Sequence, residues 1–312
     1  MEKFTNWRDK GTGIAPFLPT PPYLAQEKGF QAVLSVSKFV LKTICALPVI
    51  ILALASSWAP GRVSKTLWGV VAKIVCNWNL QVAIQGVKRR DKQSKLPAVN
   101  EVYVVNCSSP LDCVVLWFLA QGPAAFCIPS VRGKTVRFFH LTIWQFVKFT
   151  LNNGELPVLA SLAEVDNIAQ LKNRVVYLFA EGTTSNGKSI LPFTVSQESW
   201  DAFLGNKPET GISTSSNAGS RHSNLSKVKC QAIHLKINSS LTTPLRVSKW
   251  RFLVRVSTQG VNCKCKISEP IDSDLIKIRK TMCGGDKFKL VGKELTIDSK
   301  RSFVKEFGHR RR

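Results

Sequence analysis

Hydrophobic positions in this sequence fall into uncharged blocks separated by polar, proline-bearing or glycine-bearing stretches, and each block's length points to an element. Residues 1–29 form a polar segment with Pro16, Pro19, Pro21 and Pro22, a composition that reads as extended chain. They lack the basic, apolar and small-residue succession of a cleaved signal peptide. Thr43–Gly61 carries no charge and contains Pro48. Its length is close to the ~20 residues a helix needs to cross a bilayer. Lys38 and Lys42 flank one end, Arg62 and Lys65 the other, so charge bias assigns no orientation. Leu67–Ile84 is a weaker apolar stretch with Trp68 and Trp78, residues that favour membrane interfaces. Residues 30–85 therefore predict membrane-associated helices. They form either one spanning helix plus one interfacial helix, or a hairpin inserted from one side. The competing arrangement is a pair of core helices.

Past the charged loop Lys88–Lys95, strands and helices alternate through a domain spanning residues 86–270. Val102–Val105 is a β-branched apolar run and predicts a buried strand. Cys113–Val131 is uncharged but interrupted by Gln121-Gly122-Pro123. It reads as a helix to Ala120, a turn, and a buried strand Ala124–Pro129. Thr135–Leu151 carries Phe138, Phe139, Ile143, Trp144, Phe146, Val147 and Leu151 and predicts one amphipathic helix, ended by Asn152-Asn153-Gly154. Leu156–Leu159 reads as a short strand, Ala163–Lys172 as a helix, and Val175–Ala180 as another buried strand. Asn206–Ser226, rich in Ser, Asn, Gly and Thr, reads as a disordered insertion. Lys229–Ile237 and Val261–Ile267 read as strands and Ser248–Val256 as a helix. Residues 271–312 read as a basic tail with helices Asp274–Cys283 and Ile297–Phe307. The alternation predicts an α/β fold, a mostly parallel sheet flanked by helices, with the membrane-inserted helical segment on its N-terminal side.

Composition sharpens this picture. The chain's 312 residues give ample core. An apolar fraction of 44% and a mean hydropathy of +0.01 exceed what a soluble surface needs and support membrane association. Lys and Arg number 44 against 20 Asp and Glu, a formal charge of +24. Such a charge predicts an anionic partner: an anionic membrane surface, a phosphorylated ligand or nucleic acid. Zinc-finger spacing and aromatic ribonucleoprotein motifs are absent, so nucleic acid ranks well below a membrane. Nine cysteines, an odd number scattered partly through apolar runs (Cys45, Cys76, Cys113, Cys127), read as reduced thiols of a cytosol-facing protein. Cys263 and Cys265 form a C-x-C read onto opposite faces of a strand. No second cluster supplies further ligands, so no metal site is expected.

Two stretches carry chemistry. The Val102 strand runs straight into Asn106-Cys107-Ser108-Ser109-Pro110-Leu111-Asp112. Ser109 fits an N-cap, Pro110 the first helical position and Asp112 the acid of a capping box. Cys107 falls in the turn, at the positive end of the new helix, where open α/β sheets bind ligands. The Val175 strand runs likewise into Glu181-Gly182-Thr183-Thr184-Ser185-Asn186-Gly187-Lys188. Its glycines let backbone approach a ligand, and its hydroxyls and amides can donate hydrogen bonds. A capped helix and a glycine-rich surface turn are the purely structural readings of the same residues.

Together these blocks resemble the glycerol-phosphate/lysophospholipid acyltransferase family, whose order is strand, (H/C)-x-x-x-x-D, helix, strand, helix, then strand and Glu-Gly-Thr, here followed by Leu191-Pro192-Phe193. The likeness to fungal, oleoyl-CoA-using members runs nearly end to end. It includes Asn6–Pro19, Asn106–Asp112, Gly284–Lys287 and Lys300-Arg301 through Phe303–Glu306. The resemblance implies acyl transfer from acyl-CoA, a co-substrate with no bound cofactor besides, to lysophosphatidic acid, giving phosphatidic acid. It implies residence at the endoplasmic reticulum membrane and lipid droplet, with the catalytic part facing the cytosol, and a link to triacylglycerol handling and vacuolar sorting. It implies catalytic residues at Cys107 and Asp112, and substrate binding by Asn106, Ser109, Glu181, Gly182, Thr183, Thr184 and Lys188. Two departures stand out. The family's histidine is Cys107, and its phosphate-binding arginine falls near Leu159. Arg132, Lys134, Arg137 and Lys188 are candidate replacements, Lys188 first because it follows the Glu-Gly-Thr loop.

A thiol does not simply replace an imidazole. Unperturbed it titrates near ~8.5, against ~6.5 for histidine. A helix N-terminus favours the thiolate, whereas a neighbouring Asp112 opposes it. Three roles stay open: Cys107 as nucleophile, Asp112 as base with Cys107 filling space, or a decayed site. The non-enzyme alternative is a membrane adaptor that holds lipid or acyl-CoA and grips anionic membrane with its basic tail.

Overall fold

The computed structural model describes residues 2–20, 29–56, 61–88, 91, 95–132, 135–156, 162–205, 230–284 and 289–309. The expectations for Asn206–Ser226, Lys134 and most of Leu156–Leu159 lie outside them. Helix α1 (Phe30–Ala55) is the one described helix long and apolar enough to cross a membrane. Its 26 residues span about 39 Å at ~1.5 Å each. It packs against α2 (Gly61–Cys76). Ala46 and Ala53, seven residues apart and so on one face, are its buried positions. Leu41, Ile44, Leu47, Ile51, Leu52 and Leu54 stand exposed, an apolar surface that calls for lipid or a partner. Leu67–Ile84 is not a single apolar helix. At Asn77 the backbone takes φ 45°, which ends α2, and Asn79–Ile84 becomes strand β1.

The remaining strands are β2 (Val102–Val105), β3 (Ala124–Arg132), β4 (Thr135–Leu141), β5 (Ala163–Val165), β6 (Val175–Leu178), β7 (Cys230–Ile237) and β8 (Asn262–Ile267). They form one eight-stranded sheet in the order β1-β8-β7-β2-β6-β3-β4-β5. The centre, β7-β2-β6-β3, is parallel throughout. Antiparallel pairs at β7/β8, β3/β4 and β4/β5 make the whole sheet mixed. Helices α3 (Leu111–Leu119), α4 (Ile143–Leu151), α5 (Gln197–Leu204), α6 (Lys249–Gln259), α7 (Leu275–Met282) and α8 (Ile297–His309) flank it. Central strands β2 and β6 are buried at every position, as parallel strands covered on both faces must be.

Three sequence expectations are corrected here. Thr135–Leu141 is strand, not helix; it pairs along β3 from Phe126↔Leu141 to Arg132↔Thr135. The helix starts only at Ile143, where Thr142 and Gln145 close a capping box. Ala163–Lys172 is strand β5 followed by a 3₁₀ turn, Ile168–Leu171, because Asn167 caps Ala169. Cys263 and Cys265 share one face of β8, both buried, as residues two apart on a strand do.

A separate apolar cluster joins residues from near the two ends of the chain. Glu2–Trp7 forms 3₁₀ turns interrupted at Phe4 (φ −131°, ψ 33°). Phe4, Trp7 and Phe17 surround Phe303 of α8 with ring centroids 5.6, 5.6 and 6.1 Å away. Asp9 Oδ1 accepts from the Gly292 amide at 2.6 Å. Asn186 donates through its side chain to the Ala15 and Leu18 carbonyls, both at 2.9 Å.

Candidate active site

Because β2 and β6 are parallel neighbours, in register from Val102↔Val176 to Val104↔Leu178, their C-terminal ends emerge side by side. One delivers 106–112 and the other 181–188. The loops touch: the Cys107 amide points at Glu181 Oε2 (3.5 Å), and the Ser185 amide donates to the Cys107 carbonyl (3.0 Å). A turn at Ser239–Thr243 lies against both. Ser109 donates its hydroxyl to the Leu241 carbonyl (2.8 Å), the Thr243 amide donates to the Ser108 carbonyl (2.8 Å), and Thr184 donates to the Thr243 carbonyl (2.8 Å).

Half of the expected capping box forms. Asp112 Oδ2 accepts from the amides of Ser108 (2.7 Å) and Ser109 (2.8 Å). Ser109 gives its proton to Leu241 instead and accepts only weakly from Leu111 (3.3 Å). Asp112 Oδ1 is buried without a hydrogen-bond partner. Burial pushes the Asp112 carboxyl up to about 7 against the pull of those two amides. Glu181 is sealed as well. Its Oε1 accepts from the Leu191 amide (3.3 Å). Burial lifts it to about 8, the Cys107 and Leu191 amides and the Arg279 charge opposing. Cys107 has no exposed surface. Burial, then Asp112 and Glu181, drive its thiol well above the usual range, with Lys300 pulling back. The helix terminus does not win: burial and the two carboxyls oppose the thiolate, and the Ser108 and Ser109 amides just ahead of α3 go to Asp112.

Gly182 adopts φ 63°, and a Cβ there would lie 2.8 Å from Thr194 Oγ1 and 3.2 Å from the Pro129 carbonyl. The Glu-Gly-Thr turn is thus closed to side chains. Asn106 does not face the pocket. Its amide pairs with the Leu235 backbone in both directions, 3.0 and 2.7 Å, extending the β2–β7 ladder. Lys188 is exposed, outside the cluster.

The charge inside comes from elsewhere. Lys300, on α8 and only 2% exposed, donates to Thr183 Oγ1 (3.0 Å), Thr184 Oγ1 (2.7 Å) and the Thr184 carbonyl (2.5 Å). Both hydroxyls spend their own protons on carbonyls, of Asn153 and Thr243. Lys300 therefore meets three acceptors, the complement of an ammonium. Burial acts the other way, to about 7, opposed by Cys107, Glu155 and Glu181. Arg279 donates to the Leu191, Ile190 and Val291 carbonyls (3.0, 3.1 and 2.6 Å) and attracts Glu181. Gly182, Thr183 and Lys300 border a cleft of about 690 Å³ with Ser130, Asn153 and Glu155. Lys300 had a legible signal: Ile297, Lys300, Val304 and Phe307 fall on one helical stripe, and a lysine there is out of pattern. Arg279 and the 239–243 turn had none.

No protein-family model matches the chain. It is 37% identical over 311 residues, 98% of its length and 97% of the relative's, to lysophosphatidic acid:oleoyl-CoA acyltransferase 1 of Saccharomyces cerevisiae. It is 28% identical over 205 residues, 62% of this chain and 67% of the relative, to a provisional lysophosphatidic acid:oleoyl-CoA acyltransferase of Schizosaccharomyces pombe. Among solved structures, the 1-acyl-sn-glycerophosphate (LPA) acyltransferase PlsC of Thermotoga maritima aligns at TM-score 0.38 and 16% identity, covering 88% of this chain and 96% of that one. Two signature loops converge at adjacent strand ends, and the first likeness runs along nearly the whole of both chains, so this chain belongs to the glycerol-phosphate/lysophospholipid acyltransferase family.

Proposed function

We propose that the protein transfers a fatty acyl group, oleoyl foremost, from acyl-CoA to lysophosphatidic acid, with Asp112 as the base. The observation that carries this reading is Asp112 itself: Oδ2 is held by two amides while Oδ1 is buried and unpartnered. A carboxylate fixed on one side, with its carboxyl near neutrality, suits general-base catalysis. The free acceptor hydroxyl gives its proton to Asp112 Oδ1, and its oxygen attacks the thioester carbonyl. When the tetrahedral intermediate collapses, the C–S bond breaks and the coenzyme A thiolate takes the proton from Asp112. Cys107, held as a thiol, fills space beside the base, and no acyl-enzyme forms. Glu181 braces the two loops, and the Lys300 amine pins Thr183 and Thr184 beside them. The reaction needs no cofactor beyond the acyl-CoA itself.

The same reading puts the protein at the endoplasmic reticulum membrane and lipid droplet, its globular part in the cytosol. Support comes from the exposed apolar face of α1. A hairpin entering and leaving on one side suits a droplet's monolayer.

The test uses full-length protein in phosphatidylcholine vesicles with labelled oleoyl-CoA and lysophosphatidic acid. Asp112→Asn lowers turnover roughly 10²–10⁴-fold, whereas Cys107→Ala keeps most of it. Trapping of a hydroxylamine-sensitive acyl-enzyme would instead make Cys107 the nucleophile. The complete enclosure of Cys107 and Asp112 favours a second reading, a lipid-holding adaptor. It wins if the pure protein binds acyl-CoA yet makes no phosphatidic acid.

A further inference from the structure

A second basic concavity lies beside the site. α4 ends at Leu151, and the segment ahead of α6 passes next to it. The Val247 amide donates to the Leu151 carbonyl at 3.0 Å and stitches the two walls together. Between them opens a groove of about 560 Å³, lined by Lys148, Arg246 and Lys249 with Asn152, Glu155 and Ser248. Three cations face one acid across a concave surface, whereas a solvated helix face would be convex and mixed in sign. Lys148, Arg246 and Lys249 are exposed, and Lys148 and Lys249 can be reached from solvent. Ser248 precedes α6 without closing its hydroxyl on the first turn, which leaves that hydroxyl available to a ligand.

The position is informative. Glu155 lines this groove and also the cleft bordered by Gly182, Thr183 and Lys300, so the two meet there. On the other side α6 packs against α1, with Trp250 edge-on to Phe39 at 5.3 Å. The groove thus lies between the candidate site and the apolar helix α1.

We propose that this groove grips the phosphates of the acyl-CoA donor, whose arm passes Glu155 to bring the thioester toward the site. The proposal rests on the acyltransferase reading above. A nucleotide with both a pyrophosphate and a ribose phosphate presents several separated anionic groups, which spaced cations match. The single phosphate of the acceptor would leave part of the set unmatched.

Lys148→Ala and Lys249→Ala, singly and together, test this in full-length protein in neutral phosphatidylcholine vesicles. The KM for oleoyl-CoA rises about tenfold per cation removed, while that for lysophosphatidic acid stays within about twofold. Adenosine 3′,5′-bisphosphate competes with oleoyl-CoA in the wild type and loses potency in parallel. Lys277→Ala, the same charge change at an exposed side chain of α7, moves neither constant. A rise confined to the lysophosphatidic acid KM assigns the groove to a lipid phosphate and overturns the proposal, and so do two unmoved constants. Equilibrium binding of adenosine 3′,5′-bisphosphate separates the two readings. Lys148- and Lys249-dependent binding by a protein that makes no phosphatidic acid upholds the groove and removes the reaction. Acyl transfer with no such binding does the reverse.

Discussion

At the scale of single residues, the site is defined by four buried ionisable groups that share almost no solvent. Asp112 near 7 and Glu181 near 8 are both raised by burial, and this has two readouts. A base must be deprotonated, so kcat/KM rises with pH through about 7, and the rising limb disappears with the residual activity of Asp112→Asn. Stability moves in the opposite direction. A carboxyl raised in the folded state binds its proton more tightly there, so its contribution falls as pH climbs from the unfolded value to the folded one. For Glu181 that window runs from about 4.5 to about 8. Glu181→Gln therefore shows a flatter melting temperature than the wild type between pH 5 and pH 8, as calorimetry across that range would show. A steeper fall in the variant would contradict burial as the cause. Lys300 is the complementary case. Lys300→Met removes a buried charge but leaves three acceptors unpaired, at about 1–3 kcal/mol for each unsatisfied group. Lys300→Arg keeps the charge but not the compact ammonium geometry, so it restores activity only in part.

At the scale of elements, the central strands and the two signature loops were legible because they are locally determined. Val102–Val105 and Val175–Leu178 are short apolar runs that end in turn chemistry, and no helical alternative fits runs of that length. Thr135–Leu141 misled for the opposite reason. Its apolar residues run on into those of α4, and only the Thr142–Gln145 box marks the break. Its strand identity depends on pairing with β3, a tertiary fact. Within the site, Asp112 and Glu181 were visible from motif spacing. Lys300 and the 239–243 turn arrive from far along the chain, and local pattern does not report such proximity. Asn106 shows the limit of a motif: it belongs to the block, yet it serves the sheet. The loops also make a testable demand on backbone. Gly154 takes φ 73°, and a Cβ there would lie 2.6 Å from the Thr184 amide nitrogen. Gly154→Ala must push the Glu-Gly-Thr loop away from α4. It costs about 1–3 kcal/mol and lowers turnover with it, whereas Gly61→Ala, with nothing within 4 Å, leaves the melting temperature nearly unchanged.

At the scale of the whole molecule, residues near the two ends of the chain hold the Glu-Gly-Thr loop from outside. Phe303 on α8 is 1% exposed and ringed by Phe4, Trp7 and Phe17. One helical turn away on α8, Lys300 reaches Thr183 and Thr184. The N-terminal segment grips the same loop a second time, where the Asn186 amide donates to the Ala15 and Leu18 carbonyls and the Asn186 backbone amide to the Pro16 carbonyl. Both routes converge on 183–186, so loosening the N-terminal segment releases Lys300 and the loop together. Phe303→Ala opens a cavity worth about 3–5 kcal/mol and would lower activity merely by unfolding. Asn186→Ala is the sharper probe. It removes two side-chain hydrogen bonds to the N-terminal segment and a longer one from the Lys188 amide (3.2 Å), and leaves the aromatic cluster and Lys300 in place, at about 1–3 kcal/mol. Hydrogen exchange in that variant quickens first in residues 2–20 and 183–186 and later, if at all, in β2 and β6. If exchange rises uniformly across the sheet instead, the two ends are ordinary core and the clasp does not act on the loop. If it rises at 2–20 alone, the N-terminal segment is a passive cover, and Lys300 needs only α8 to hold it.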